Sequence, residues 1–173
     1  MAADVDFEGL VDLYYPSLFR FALSLTHQES DACDLTQQTF YVWARKGHQL
    51  QDASKVKSWL FTTLHREYLQ RRRKVTRYCD VELSQADHEL PEVAPPPISE
   101  IDGETVLEAL SRLDQSFQAP ITLFYLEDYT YMEIGQILEI PLGTVKSRIS
   151  RGIAQLQRIL VETGARLARK GGM

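Results

Sequence analysis

The sequence predicts an all-α fold: two small helical domains joined by an acidic, proline-containing linker, with a helix-turn-helix in the second domain. Three observations lead there. Apolar residues recur at helical spacing in both halves, with no strand-like alternation of any length and no internal repeat. Residues 78–103 lose that period, turn acidic and contain Pro91, Pro95, Pro96 and Pro97, a composition that favours extended linker geometry. Residues 131–156, YMEIGQILEIPLGTVKSRISRGIAQL, read as two short helices around a tight turn. The expected division is a first domain over 1–77, the linker over 78–103, a second domain over 104–162 and a tail over 163–173.

The first segment, about residues 5–26, places Phe7, Leu10, Val11, Tyr14, Leu18, Phe21, Ala22 and Leu25 at helical spacing. Pro16 lies inside it and is expected to kink the helix or split it in two. A second helix is expected to start near Ser30 as its cap, with Asp31 and Asp34 in the first turn, and to stop around Gly47. A third begins at Ser54, turns Val56, Trp59, Leu60 and Leu64 inward, and runs into the RRRK at 71–74. After the linker, Val106, Leu107, Leu110 and Leu113 restore the helical period. Another helix is expected around Pro120–Leu126, with the proline in its first turn. In the helix-turn-helix, Met132, Ile134, Ile137 and Leu138 supply the apolar face of the first helix, and Ile140 and Pro141 form the turn. Gly135 is small where the two helices approach, although glycine costs about 1 kcal/mol relative to alanine in a helix. The Gly171-Gly172 end is expected to fray.

With 44% hydrophobic and 25% charged residues, the composition is that of a soluble globular protein. No apolar run is long enough to span a bilayer, and MAADVDFEGL lacks a signal-peptide pattern, so a cytoplasmic protein with no direct membrane insertion is expected. Cys33 and Cys79 show no metal or redox spacing and read as ordinary thiols. The histidines His27, His48, His65 and His88 are scattered, and no phosphate loop, nucleophile elbow or acidic cluster appears. The reading is therefore a non-enzyme without catalytic residues, metal or cofactor.

The net charge of −5 conceals strong segregation. Residues 55–77 carry eight cations against Glu67, and 140–170 carry seven against Glu162. The intervening 78–139 hold fourteen acids against Arg112 alone. Two basic blocks on an acidic chain point to two nucleic-acid contacts, with the acidic remainder facing protein or solvent.

In the second block, the start of the latter helix of the helix-turn-helix can enter a major groove, bringing Thr144, Lys146, Ser147, Arg148 and Arg151 to phosphates or base edges. The opposite side, with Val145, Ile149 and Leu156, packs on its own domain. In the first block, Trp59, Phe61, His65 and Tyr68 interleave with Arg66, Arg71, Arg72, Arg73 and Lys74. Flat surfaces for unstacked bases beside cations for phosphates are what binding to opened DNA requires.

The run EIGQILEIPLGTVKSRISRG, sharpest at GTVKSRISRG over 143–152, resembles the last helix-turn-helix of the extracytoplasmic-function (ECF) sigma factors, the small promoter-specificity subunits of bacterial RNA polymerase. Response regulators share part of this frame, but they begin with a βα receiver domain where this chain begins with helices. Glu139 stands where these turns usually carry glycine, and Gly135 where they usually carry alanine. DLTQQTFYVW at 34–43 resembles the sigma segment that binds the clamp helices of the largest polymerase subunit. Asp34, Gln37, Gln38 and Tyr41 are then the docking residues, with Phe40 and Trp43 in the core. SWLFTTLHREYLQRRRK at 58–74 resembles the element that recognises and melts the −10 sequence, and Leu50–Lys57 corresponds to the loop that captures a flipped base.

The resemblance implies −10 contacts from Lys57, Ser58, Trp59, Phe61, His65, Arg66, Leu69, Arg71, Arg72 and Arg73, with His65, Arg66 and Leu69 nearer the DNA face than Trp59 and Leu60. Arg66 stands where asparagine is frequent, and Gln70 where aspartate is frequent. It implies further that 143–158 reads the −35 duplex, that the linker threads towards the RNA exit path, and that the partners are core polymerase (clamp helices, and the flap of the second-largest subunit) and promoter DNA. An anti-sigma factor is a usual partner in the family, and nothing in this sequence singles one out. Two other readings stay open on the residues alone. One is a stand-alone helix-turn-helix regulator, for which the aromatic-rich basic helix at 58–74 has no use; the other is an interaction adaptor with incidental basic helices.

Overall fold

A computed structural model describes residues 6–76 and 103–170, with side chains over 6–75, at 105 and over 107–162. The expected linker, apart from Gly103, and the Gly171-Gly172 end lie outside the described residues. The elements are α1 (Phe7–Thr26), α2 (Glu29–Lys46), α3 (Val56–Thr76), α4 (Gly103–Ser111), α5 (Gln115–Tyr125), α6 (Tyr131–Leu138) and α7 (Leu142–Lys170), with short 3-10 turns at Gly47–Gln49 and Ala53–Lys55. Every described element is helical, as the apolar periodicity requires.

α1 is one helix. Asp6 caps it by accepting from the Gly9 N–H at 3.2 Å, and Pro16 interrupts its ladder without splitting it. Leu10 lies on one side of the proline and Leu18, Phe21 and Leu25 on the other; all four are buried in the same core, which holds both halves in line. His27 ends α1 in a left-handed conformation, its N–H donating to the Leu23 carbonyl at 2.9 Å. α2 then starts two residues earlier than expected. Gln28, not Ser30, occupies the cap and provides no side-chain bond, so Glu29 and Asp31 near the N-terminal dipole support that end. Inside α2, the buried hydroxyls of Thr36 and Thr39 are satisfied by donating to the Ala32 and Leu35 carbonyls. The turn into α3 is fixed by Asp52, whose carboxylate accepts from the Ser54 N–H at 3.0 Å and its hydroxyl at 2.6 Å.

In the C-terminal half, α5 begins at Gln115, so Pro120 sits in mid-helix and not in the first turn. The earlier start is tied down from outside: the Asp114 N–H donates to Gln155 Oε1, and Gln155 Nε2 returns a bond to Asp114 Oδ1. α5 crosses α7 at Gly152, where an added Cβ would stand 2.8 Å from Ile121 Cγ1. α6 opens on a reciprocal capping box between Thr130 and Glu133. It closes on Glu139, left-handed at φ 57, from which the chain turns into α7. Met132, expected to pack inward, is 66% exposed; Ile134, Ile137 and Leu138 alone form the buried face of this short helix. An added Cβ on Gly135 would lie 3.1 Å from the Ile140 carbonyl oxygen, so glycine permits the tight α6–α7 corner. α7 continues well past the expected end of the second domain, as one helix to Lys170.

The two halves are packed against each other, α1 on α5 and α3 on α6. Their cores join into one apolar cluster, from Leu18, Phe21 and Phe61 through Tyr129 to Ile121, Ile134 and Ile149.

Candidate nucleic-acid and polymerase interfaces

The outer face of α2 presents Asp34, Gln37 and Tyr41 to solvent, with Gln38 half-buried beside them. Tyr41 is held upright by Arg45, which donates to its hydroxyl at 3.1 Å and lies over its ring. Phe40 and Trp43 point the other way into the core, Phe40 stacking on Tyr15 and Trp43 meeting Trp59 edge-on at 5.1 Å. The division between an aromatic inner face and a polar outer face is as the sequence suggested. Arg71 of α3 reaches the Asp34 carbonyl at 3.4 Å, so the outer face of α2 and the end of α3 adjoin.

α3 has two faces of different character. Arg66, Arg71 and Arg73 are exposed, with Arg72 and Leu69 half-buried between them. Arg72 lies over the ring of Tyr68, which is itself buried. Ser58 and Trp59 are half-buried at the start of the helix, where Ser58 donates to the Lys55 carbonyl.

Two residues expected on the DNA face are elsewhere. Phe61 is fully buried between Phe21 at 5.3 Å and Tyr129 at 5.6 Å, because it falls on the same inward stripe as Leu60 and Leu64. His65 is turned towards the second domain, where burial, with Arg148 nearby, brings its pKa down to about 4 against the opposing pull of Glu139.

On α7, Val145, Ile149, Ile153 and Leu156 are buried; full burial of one such aliphatic side chain contributes about 1.5–3 kcal/mol. That stripe leaves Lys146 exposed and Thr144, Ser147, Arg148 and Arg151 half-buried on the remaining surface. None of the five candidates belongs to the buried stripe.

The contact between the halves joins Lys57, Arg66 and Glu139, which the sequence marked for other reasons, to Arg20, Glu127 and Tyr129, which it did not single out. Glu127, whose side chain is only 3% exposed, accepts from Arg20 at 3.1 Å and sits 3.9 Å from the Lys57 ammonium. Both cations favour its charged form, yet desolvation outweighs them and its pKa is raised. Lys57 also lies 4.9 Å above the Tyr129 ring. Further along α3, Arg66 forms an ion pair with Glu139, which holds the Glu139 carboxyl below its ordinary range. The signal was available in the charge segregation, since the acids at 127, 128, 133 and 139 complement the cations of 55–77.

Comparison with known proteins bears on both halves. Residues 10–78 match the family model described as Sigma-70 region 2, and residues 109–158 the one described as Sigma-70, region 4. The chain is similar to the ECF RNA polymerase sigma factor SigW of Bacillus subtilis, with 28% identity over 168 residues covering 89% of this chain and 88% of that one. With EcfG of Rhodopseudomonas palustris it shares 30% identity over 154 residues, covering 87% and 82%. Among solved structures, the sigma factor RpoE of Bartonella quintana, crystallised in complex with the anti-sigma factor NepR, superposes with a TM-score of 0.70. Its sequence identity is 30%, over 90% of this chain and 96% of that one.

Proposed function

The chain belongs to the extracytoplasmic-function sigma factor family of bacterial RNA polymerase, and from that premise we propose how its two domains divide promoter recognition. It is a transcription initiation factor and not an enzyme: it directs core polymerase to specific promoters. The outer face of α2, with Asp34, Gln37, Gln38 and Tyr41, docks on the clamp helices of the largest subunit. An exposed aromatic held beside polar groups is the type of anchor that stabilises such an interface.

The cationic face of α3, with Arg66, Arg71, Arg72 and Arg73, follows the phosphates of the melted −10 region, and Trp59 and Leu69 offer apolar surface to its bases. On α7, Lys146, Arg148 and Arg151, with Thr144 and Ser147, read the −35 duplex. The supporting observation is that the two candidate sets lie on separate domains, so one polymerase-bound chain can hold two promoter elements at once. No described helix is long and apolar enough to cross a membrane, and we place the protein in the cytoplasm with the polymerase. The complex of the Bartonella relative with NepR supports an anti-sigma factor as a further partner.

Run-off transcription from a promoter library with purified core polymerase tests this reading. Initiation at two-part promoters only when the chain is added is expected. Tight binding to duplex operators without polymerase, and no initiation with it, would replace the reading by that of a stand-alone regulator.

A further inference from the structure

We propose that Arg45 is a positioning residue for polymerase docking: it fixes Tyr41, by both the hydroxyl and the ring, in the orientation in which that ring meets the partner. The proposal rests on the reading of the outer face of α2 as the docking surface, and it is carried by the geometry of one pair. Tyr41 is 55% exposed, and it is the one large apolar side chain that α2 leaves in solvent. Phe40 and Trp43, its aromatic neighbours along the helix, are buried. An exposed ring has several rotamers open to it, and an interface that must select one of them loses affinity by the cost of ordering it.

Arg45 removes much of that freedom before the partner arrives. It lies one turn further along α2, and helical side chains lean back towards the N-terminus, so its guanidinium falls over residue 41. There it makes two contacts at once. Nη1 donates to the Tyr41 hydroxyl at 3.1 Å, and the guanidinium carbon stands 5.7 Å from the ring centroid. A ring held at its face and at its tip cannot change rotamer without giving up both contacts. Two more ordinary roles do not account for this arrangement. Among the described residues no carboxylate forms an ion pair with Arg45, so it is not half of a surface salt bridge. It lies in the last turn of α2, where a cation offsets the helix dipole, but Lys46 lies in that turn as well. What Arg45 adds is its hold on Tyr41, and a planar guanidinium suits that task better than an ammonium.

Binding of the labelled full-length chain to purified core polymerase tests the role, at low and at high salt. Wild type is compared with Tyr41→Ala, Tyr41→Phe, Arg45→Ala and the double variant Arg45→Ala with Tyr41→Phe. Both positions are exposed, so all variants should keep the wild-type denaturant midpoint. Tyr41→Ala should weaken core binding about tenfold. Tyr41→Phe and Arg45→Ala should each weaken it about two- to fivefold, because each loosens the ring without removing it. The double variant should bind no more weakly than Arg45→Ala alone, since both changes break the same hold. The Arg45→Ala defect should persist at high salt, because it comes from a looser ring and not from a charge contact across the interface.

Losses that multiply in the double variant, or an Arg45→Ala defect that vanishes at high salt, would make Arg45 a direct charge contact and overturn the proposal. A large loss with Tyr41→Ala and none with Arg45→Ala would also overturn it, while leaving the docking face of α2 in place. Wild-type affinity in Tyr41→Ala would remove Tyr41 from the docking face, and the positioning role with it.

Discussion

Gly152 allows α5 and α7 to approach as closely as they do, and alanine there brings two effects into opposition. Alanine gains about 1 kcal/mol of helix propensity. Its Cβ would lie 2.8 and 3.0 Å from the outer carbons of Ile121, which is fully buried and has nowhere to move. Overpacking of this kind costs about 1–3 kcal/mol, so Gly152→Ala should lower stability by about 1 kcal/mol in a denaturant melt. Unchanged or raised stability would show that the crossing is looser than these distances. Residue-level roles of this sort were only partly legible in the sequence. Val145, Ile149 and Leu156 declared themselves by spacing, and Gly135 by its place at a tight corner. Gly152 did not, because its partner Ile121 is remote in sequence and no local pattern encodes a crossing point.

At the scale of the element, α3 combines a structural face and a binding face, and substitutions should separate them. Phe61→Ala removes a fully buried ring and should cost about 3–5 kcal/mol. Replacing exposed Arg71 and Arg73 by alanine should leave stability within about 0.5 kcal/mol. With polymerase present, the arginine pair is expected to reduce permanganate reactivity of −10 thymines more than it reduces core binding. Equal reactivity in that pair variant would remove α3 from the melting step. The sequence marked α3 as basic and aromatic but placed Phe61 on the wrong face. With Trp59, Leu60, Phe61, Leu64 and Tyr68 all apolar, the stripe is wide, and which edge faces inward is settled by Phe21 and Tyr129 from other elements. The starts of α2 and α5 were missed for a related reason. α2 starts without a side-chain cap, and α5 starts where Gln155 of α7 supplies the bonds.

For the whole molecule, the two-domain all-helical design was legible from periodicity and charge blocks, whereas the packing of one domain on the other was not. It depends on pairs such as Arg20–Glu127, more than a hundred residues apart in the chain. That packing has a pH signature. His65 is half-buried in that packing with its pKa lowered to about 4, and its ordinary value is 6.5. The unfolded chain therefore binds a proton more readily, so the contribution of His65 to stability is present above about pH 6.5 and is lost as the pH falls below.

Glu127 acts in the opposite sense: burial raises its pKa, so its protonation stabilises the fold as the pH falls. The pairing of Glu139 with Arg66, in turn, is lost only below the ordinary carboxylate range. As the pH falls through the ordinary histidine value of 6.5, His65 should cost stability, read as a falling denaturant midpoint on acidification. His65→Asn should flatten that dependence; an unchanged slope would assign it to other groups.

The central claim is that one chain reads two promoter elements on behalf of the polymerase. Its most direct measurement is run-off transcription with purified core on one promoter in four forms: intact, −35 scrambled, −10 scrambled, and both scrambled. Wild-type chain should initiate well only on the intact form, and Arg148→Ala should lose much of the difference between the intact and −35-scrambled templates. Equal transcription by the wild type from intact and −35-scrambled templates would contradict the account.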